Sequence, residues 1–353
     1  MKFQKYITTA LLGAFVLFFS LWCIFVPTPD YSVSERRQLA SFPELTLENV
    51  LSGKFSGEFE EYATDRFPLR EKFFAVKSYV RLFVLQQKEN NDIFVKDGHI
   101  SKLEYPQNEA MQEYAAELFK KVWEKNFPEN DVYFCMIPDK NLFLADLKMD
   151  YDALEKTMKE KMPFATFIEI TSLLSASDYY FTDSHWRQDK ILPVAEKISS
   201  TMGVNLPTEY ETKKLDIPFY GVYQGQSALS FPPDEISYLT NATIEGFTVE
   251  GAAAVYDMKK AEGQDPYEFF LSGNQPLVKI KNEQNADGKK LVVFRDSFAS
   301  SLMPLLAQGY SEVVLVDLRY MNSALLENFV SFEGCDVLFL YSASILNHAN
   351  SMR

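Results

Sequence analysis

Hydrophobic positions along this chain fall into three regimes. The first is continuous: from Tyr6 to Val26 the sequence YITTALLGAFVLFFSLWCIFV carries no charge. As a helix rising about 1.5 Å per residue it reaches roughly 30 Å, the thickness of a bilayer's hydrocarbon core. The second is periodic. In PLREKFFAVKSYVRLFVLQQ the residues Leu69, Phe73, Val76, Val80 and Phe83 recur three or four apart, which predicts an amphipathic helix whose apolar stripe faces the core. NDIFVKDGHISKL then alternates and turns at Asp97-Gly98, a hairpin signal. The third regime switches between helical and strand patterns. It runs through a helix over 106 to 126, strand DVYFCMI, a helix near 150 to 160 and strand TFIEI. It resumes with strand KLVVF, helix ASSLMPLLAQ, strand EVVLVD, helix MNSALLENFV and strand CDVLFLY. Such alternation predicts an α/β fold with a parallel sheet flanked by helices. Between the two halves, from Leu206 to Gly288, lies a polar, aromatic and glycine-bearing stretch with several short strand-like pieces, FYGVYQGQSALSF and YEFFLSGNQPLVKI among them. It reads as a β-rich insertion that supplies loops over a site.

The flanks of the first run set the compartment. Lys2 and Lys5 precede it while Asp30 and Glu35 follow it, so the positive-inside bias places residues 1–5 in the cytoplasm and everything after Pro27 outside. A cleaved signal peptide is the rival reading. It calls for a shorter apolar core ending in small residues, whereas Phe25 and Val26 are bulky and Pro27 follows at once. Bulky Trp22 before Cys23 speaks against a lipoprotein. The expected organisation is a transmembrane anchor over 6–26, a Pro- and Ser-bearing stalk over 27–44, and an extracytoplasmic domain over 45–353 with its insertion at about 206–288.

Composition narrows the function classes. At 353 residues and 47% hydrophobic content the chain can bury a sizeable core. A formal charge of -14 without a basic stripe excludes nucleic acid as a partner, and the body should repel anionic lipid. Cys23 falls in the anchor, while Cys135 and Cys335 sit in apolar strands and read as small buried hydrophobes more readily than as a disulfide. The three histidines, His99, His185 and His348, are too scattered for a zinc site. Neither metal nor cofactor is expected.

Two motifs carry chemistry. In TDSHW, Thr182 to Trp186, residues two apart point the same way if the segment is extended. The Asp183 carboxylate then holds one imidazole nitrogen of His185 and leaves the other free as a general base. Capping by Asp183 and Ser184 of a helix running through Gln188 and Lys190 explains the same residues. In FRDSFASS, Ser297 falls between strand KLVVF and a helix, where its hydroxyl is exposed and the first free helix N–H groups can stabilise an oxyanion. Asp296 and Ser297 also suit a plain helix cap; Ser300 and Ser301 already lie inside the helix. His185 has its carboxylate, Asp183, at the right spacing. His99, at a hairpin turn, and His348, in a polar tail, fit surface or structural roles.

TDSHW and DSF in this order, with SERRQLASFPEL, YATDRFPLR, MIPDK and VDLRYMN, resemble the DHHW proteins, relatives of the alginate O-acetyltransferase proteins with an SGNH-hydrolase-like domain. The resemblance covers nearly everything from Ser34 to Tyr341. It implies a permuted SGNH-like fold in which Asp-x-His precedes the serine, with Ser297 as nucleophile, His185 as base and Asp183 as its orienting partner. Two departures stand out. Ser184 replaces the family's second histidine and should point away from residues 183 and 185. Arg295 replaces the glycine of an SGNH-type Gly-Asp-Ser, which unsettles an oxyanion hole borrowed from those esterases. Asn274 in LSGN and Arg319 in DLRY are further candidates for oxyanion or substrate binding, with strand-end packing or ion pairing as the alternative.

The resemblance further implies O-acetylation of a cell-surface or secreted polysaccharide through a Ser297 acyl-enzyme, with a multi-pass membrane O-acyltransferase as acetyl donor. Tyr220, Tyr223 and Tyr267 in the insertion are candidate sugar-stacking surfaces, or else packing residues. An extracytoplasmic carbohydrate acetylesterase would use the same triad with water as acceptor. A non-catalytic polysaccharide-binding scaffold would keep the motifs for structure alone.

Overall fold

The computed structural model describes residues 2–27, 29–286 and 288–353, which form two compact units. The first unit comprises the residues up to Asn91 together with Val222–Phe231. Its helix α1, Lys2–Phe25, contains a window from Lys5 to Cys23 with mean hydropathy 1.9 and no buried residue. By length and composition it can cross a membrane, and a signal sequence meets the same test. Helices α2 (Lys54–Asp65) and α3 (Arg70–Tyr79) follow, and α3 runs into one π-helical turn, Val80–Val84.

Ion pairs assemble this unit. Arg37 donates to both oxygens of Asp65, at 2.8 and 2.5 Å, and its Nε donates to Glu35 at 2.7 Å; Arg70 pairs with Glu35 as well. The stretches SERRQLASFPEL and YATDRFPLR are thus two halves of one network. The hydrogen bond from Arg37 holds the Asp65 carboxyl down at about 2, against the burial that would raise it. Gly225 explains why Val222–Phe231 belongs here: a Cβ on it would lie 1.6 Å from the Ser34 carbonyl oxygen, so only glycine permits the contact.

One expectation is corrected in this unit. Leu69, Phe73, Val76, Val80 and Phe83 do not face a core; they are 37% to 63% exposed. Helical spacing shows that a stripe exists but not which face packs, and here the packed face is the polar one. Arg70, Phe74 and Ser78 recur four apart. The Arg70 guanidinium lies over the Phe74 ring at 4.4 Å, and the buried Ser78 hydroxyl accepts from Asn90 Nδ2 at 2.9 Å.

The second unit comprises Asp92–Gly221 and Pro232–Arg353. It opens on hairpin β1 (Ile93–Lys96) and β2 (His99–Lys102), turning at Asp97 and Gly98, both of positive φ, as the sequence predicts. Then come β3 (Val132–Ile137), β4 (Ala165–Phe167), the small antiparallel pair β5 (Glu211–Lys214) and β6 (Ser237–Thr240), then β7 (Thr248–Glu250) and β8 (Leu277–Lys281). The last three strands are β9 (Lys290–Arg295), β10 (Glu312–Val316) and β11 (Cys335–Ser342). Seven of them form one sheet in the order β4-β3-β11-β9-β10-β8-β7. The first five of these run parallel; β8 and β7, from the predicted insertion, add an antiparallel edge.

Helices cover both faces. Helices α4 (Glu109–Asn126) and α5 (Tyr151–Lys161) pack Phe119, Val122, Leu154 and Met158 onto one face, which presents Phe134, Phe294 and Phe339. Those three phenylalanines are in register across β3, β11 and β9, and Phe294 stacks on Phe339 at 4.9 Å. The opposite face, with Cys135, Val293, Leu338 and Leu340, is covered by α6 (Leu192–Thr201) and α7 (Ala299–Leu306). Strands buried on both faces read as unbroken apolar runs, which is why KLVVF and CDVLFLY stand out in the sequence. Cys135 and Cys335 are buried free thiols, and Cys135 pairs in register with Leu340. The predicted helix MNSALLENFV is only a 3-10 turn, Ser323–Asn328, and strand TFIEI shrinks to three residues at the sheet edge.

His99, expected in a surface or structural role, is buried and stacks on Phe181 with ring centroids 4.4 Å apart. Burial, reinforced by the nearby Lys140 charge, lowers its pKa from 6.5 to about 4. The unfolded chain therefore binds more protons between about pH 4 and 6.5, and stability rises with pH across that window. Replacing His99 by Phe should flatten that slope, read as thermal midpoints measured from pH 4 to 7.

Candidate active site

The carboxyl ends of β3, β9 and β11 lie along one edge of the parallel sheet, and the loops leaving them build the site. After β9 come Asp296 and Ser297, then α7. Buried Asp296 is fixed from both sides: its Oδ1 accepts the Phe298 N–H at 3.0 Å and its Oδ2 accepts the Ser342 N–H, at the end of β11, at 2.7 Å. Ser297 is therefore presented at a fixed angle above the strand ends.

The TDSHW segment is a chain of bends, not an extended strand. Tyr179 and Trp186 form an antiparallel bridge at its base, and the Tyr180 N–H donates to the His185 carbonyl at 3.1 Å. Asp183 and His185 meet because the loop turns: the His185 N–H donates to Asp183 Oδ1 at 3.0 Å, and its Nδ1 lies 2.6 Å from the same oxygen. The expected pairing is present for a reason other than strand alternation. Asp183 and Ser184 do not cap the 3-10 turn Gln188–Lys190, whose preceding residue is Arg187. Ser184 does not point away either; its hydroxyl lies 3.5 Å from both Asp183 Oδ1 and His185 Nδ1.

On its other side, His185 Nε2 lies 2.8 Å from Ser297 Oγ. The structure thus brings Asp183, His185 and Ser297 into one hydrogen-bonded line, with Asp183 fully buried and Ser297 partly open. Carboxylate, imidazole and hydroxyl so aligned can move a proton off the hydroxyl. Of the expected oxyanion donors, the N–H groups of Phe298, Ala299 and Ser300 are taken by Asp296 Oδ1, the Asp296 carbonyl and the Ser297 carbonyl. The Ser297 N–H has no acceptor among the described residues.

Three groups that sequence reasoning missed hold this line in place. The indole N–H of buried Trp186 donates to the Phe298 carbonyl at 3.1 Å and to Ser301 Oγ at 3.0 Å, tying the histidine loop to the first turn of α7. Asp234 accepts from the N–H groups of Phe181 and Thr182 and from the Thr182 hydroxyl, at 2.6 to 2.8 Å. Lys140, the last residue of MIPDK, is buried and donates to the carbonyls of Tyr180 and Phe181. The only sequence signal for these was their place in or beside a motif.

Tyr267, expected to stack on sugar, is buried and stacks on the His185 ring at 3.9 Å with an interplanar angle of 12°; its hydroxyl donates to Ser301 Oγ at 3.0 Å. Tyr223 is buried too, and Tyr220 is exposed. Arg319 clasps Asp317 through Nε at 2.9 Å and Nη2 at 2.6 Å. Buried Arg295 lies 3.9 Å from the same carboxylate and donates to Ser300 Oγ and the Gln275 carbonyl, so the residue in the glycine's place serves as a strut. Asn274 is exposed beside Gln275. Neither Asn274 nor Arg319 has a hydrogen bond to Asp183, His185 or Ser297 among the described residues. No group of three or more metal-ligating side chains occurs among the described residues.

With this geometry in view, likeness to known structures becomes informative. No protein-family model and no curated protein matches the sequence. Among solved structures, a DHHW family protein from Eubacterium siraeum superposes with a TM-score of 0.59 at 18% identity, covering 75% of this chain and 97% of that one. The chain has the fold of a DHHW protein. Bacillus cereus PatB1 with a sulfonyl adduct superposes with a TM-score of 0.55 at 21% identity, over 73% of this chain and 97% of PatB1. A second structure of PatB1 gives 0.52 at 18% identity over the same shares. The α/β architecture expected from the sequence, a parallel sheet flanked by helices with Asp-x-His ahead of the serine, is the one observed.

Two outcomes follow from the loop's supports. A Cβ on Gly221 would lie 2.3 Å from the backbone of Thr182 and Asp183; Gly221→Ala should therefore cost about 1–3 kcal/mol of stability in urea unfolding. Burial lowers Lys140 from 10.5 to about 7, against the pull of Asp183 and Asp234. The unfolded chain then holds more protons between about pH 7 and 10.5, so this lysine makes stability rise with pH there. Lys140→Met should flatten that rise in thermal midpoints measured across the window.

Proposed function

We propose that this chain is a DHHW-type O-acetyltransferase that works outside the cytoplasm and acetylates hydroxyls of a cell-surface or secreted polysaccharide through Ser297. The observation that carries the reading is the unbroken line from Asp183 through His185 to Ser297, at 2.6 and 2.8 Å. His185 Nε2 takes the Ser297 proton as Oγ attacks the acetyl carbonyl of the donor. The Ser297 N–H, with Asn274 as the second donor, stabilises the oxyanion. Collapse expels the donor's leaving group, which takes the proton back from His185, and leaves acetyl on Ser297. A sugar hydroxyl then gives its proton to His185 and attacks the ester, and Ser297 leaves with that proton. Asp183 keeps His185 in the tautomer with Nδ1 protonated and stabilises the imidazolium that forms twice per cycle.

The preference for a sugar over water rests on the sequence resemblance to relatives of the alginate O-acetyltransferase proteins. An N-terminal anchor formed by α1 would hold the body outside, near a multi-pass membrane O-acyltransferase that supplies acetyl groups. In this assignment residues 6–26 are the anchor and 27–44 the stalk, and Arg319 acts on substrate only through the Asp317 and Arg295 cluster.

The soluble body, given an activated acetyl ester without acceptor, should gain one acetyl on Ser297 by intact-mass and peptide analysis, and lose it to an added oligosaccharide. Ser297→Ala should abolish the adduct, and His185→Ala should slow its formation by about 10²- to 10⁴-fold. Unchanged labelling of Ser297→Ala would refute the reading. Release as free acetate, with none on the oligosaccharide, would make the protein an esterase.

A further inference from the structure

The exposed stripe of α3 and its π-helical turn has no role in the chemistry above, and its composition is unusual for this chain. Phe73, Val76, Tyr79, Phe83 and Val84 stand out from the helix, each between 46% and 63% exposed. Soluble surfaces rarely present contiguous apolar side chains at this density. Charge runs the other way from the rest of the molecule. From Arg66 to Lys88 the chain holds six basic residues against one acid, Glu71, in a protein whose net charge is -14. Arg66 and Arg70 are engaged by Asp30 and Glu35, Lys77 and Arg81 reach Asn91 and Asn90 beside the stripe, and Lys72 and Lys88 are exposed. The stripe is also continuous with the apolar N-terminal helix. Phe19 on α1 stacks on Phe67 at 5.1 Å and meets the edge of Phe73 at 6.1 Å.

We infer that α3 and its π-helical turn lie in the interfacial layer of an anionic lipid bilayer, with the aromatic stripe at the acyl boundary and Lys72, Lys77, Arg81 and Lys88 at the headgroups. The inference rests on the reading of α1 as a membrane-seated helix. An aromatic, basic, amphipathic helix with its apolar face uncovered is the form that binds such a layer. The contact between Phe19 and Phe67 places the start of the stripe against the segment that would be leaving the hydrocarbon. A second copy is a poorer occupant, because a two-fold pairing would bring two faces of the same basic charge together. The overall acidity that argues against anionic lipid for the body does not extend to this segment.

The test uses the full chain in vesicles, with the photocrosslinking residue p-benzoylphenylalanine at Val76 or, as a reference for α1, at Leu17. In vesicles containing phosphatidylglycerol both positions should crosslink to lipid. The double variant Lys72→Glu, Lys77→Glu should reduce the Val76 yield by about fivefold or more while leaving Leu17 unchanged. Lipid crosslinks at Leu17 but none at Val76 would overturn the inference and leave the anchor standing. Crosslinks from Val76 to a second copy would overturn it in favour of a dimer face. Failure at both positions would remove the anchor along with the inference.

Discussion

The indole of Trp186 joins two stretches of chain that are 112 residues apart, and the rest of the site depends on that junction. The histidine loop has no regular structure of its own. It is a run of bends closed at its base by one antiparallel bridge, and its neighbours meet it mostly through its backbone. Lys140 and Asp234 hold Tyr180, Phe181 and Thr182, and Gly221 lies against Thr182 and Asp183. Those contacts fix the loop's path; the bond from Trp186 to the Phe298 carbonyl fixes it relative to the serine. Ser301 completes the joint, since its hydroxyl accepts from both Trp186 and Tyr267 and donates to the Phe298 carbonyl. A buried hydroxyl used three times is rigid, and a rigid junction is what a 2.8 Å contact between imidazole and hydroxyl requires.

What the sequence disclosed follows the range of the forces involved. Alternating apolar runs revealed the parallel strands and most helices, because burial on both faces leaves a local signature. The Asp183, His185 and Ser297 set was legible through scarcity: of three histidines, His99 and His185 have an aspartate two residues before them, and Asp97-Gly98-His99 is taken up by a hairpin turn. The geometry was less legible than the membership. Asp183 and His185 meet through a turn stabilised by a backbone N–H, which no pattern of residue types distinguishes from an extended pair. Tyr267 was visible as an aromatic in an insertion, but its stacking on His185 is set by long-range packing. The α3 stripe shows the limit most clearly. Periodicity located it and misjudged its direction, since an ion pair and a buried serine draw the opposite face inward.

Electrostatics behind the serine follow one design. Asp317, fully buried, is shared by Arg319 and Arg295, and Arg295 in turn braces Ser300 and the Gln275 carbonyl. Burial drags the Arg295 guanidinium below its ordinary pKa while Asp317 pulls the other way. A glycine at that position would leave a void and an aspartate with a single partner, so the arginine is a substitution with a structural rationale. On the other flank Asp139 is buried near Glu104 and Asp296, and desolvation together with those two carboxylates raises its pKa well above normal. The two sides of the Asp296–Ser297 corner are thus a guanidinium cluster and a carboxyl that prefers its proton.

The order of strands carries a consequence for how the molecule is made. The strand completed last in the sequence, β11, lies between β3 on one side and β9 on the other. Until it emerges, the growing chain holds two half-sheets with open edges and no way to join, one belonging to the loop with Lys140 and the other to the loop with Ser297. Assembly therefore waits on β11, and unpaired edges are exposed for as long as that takes.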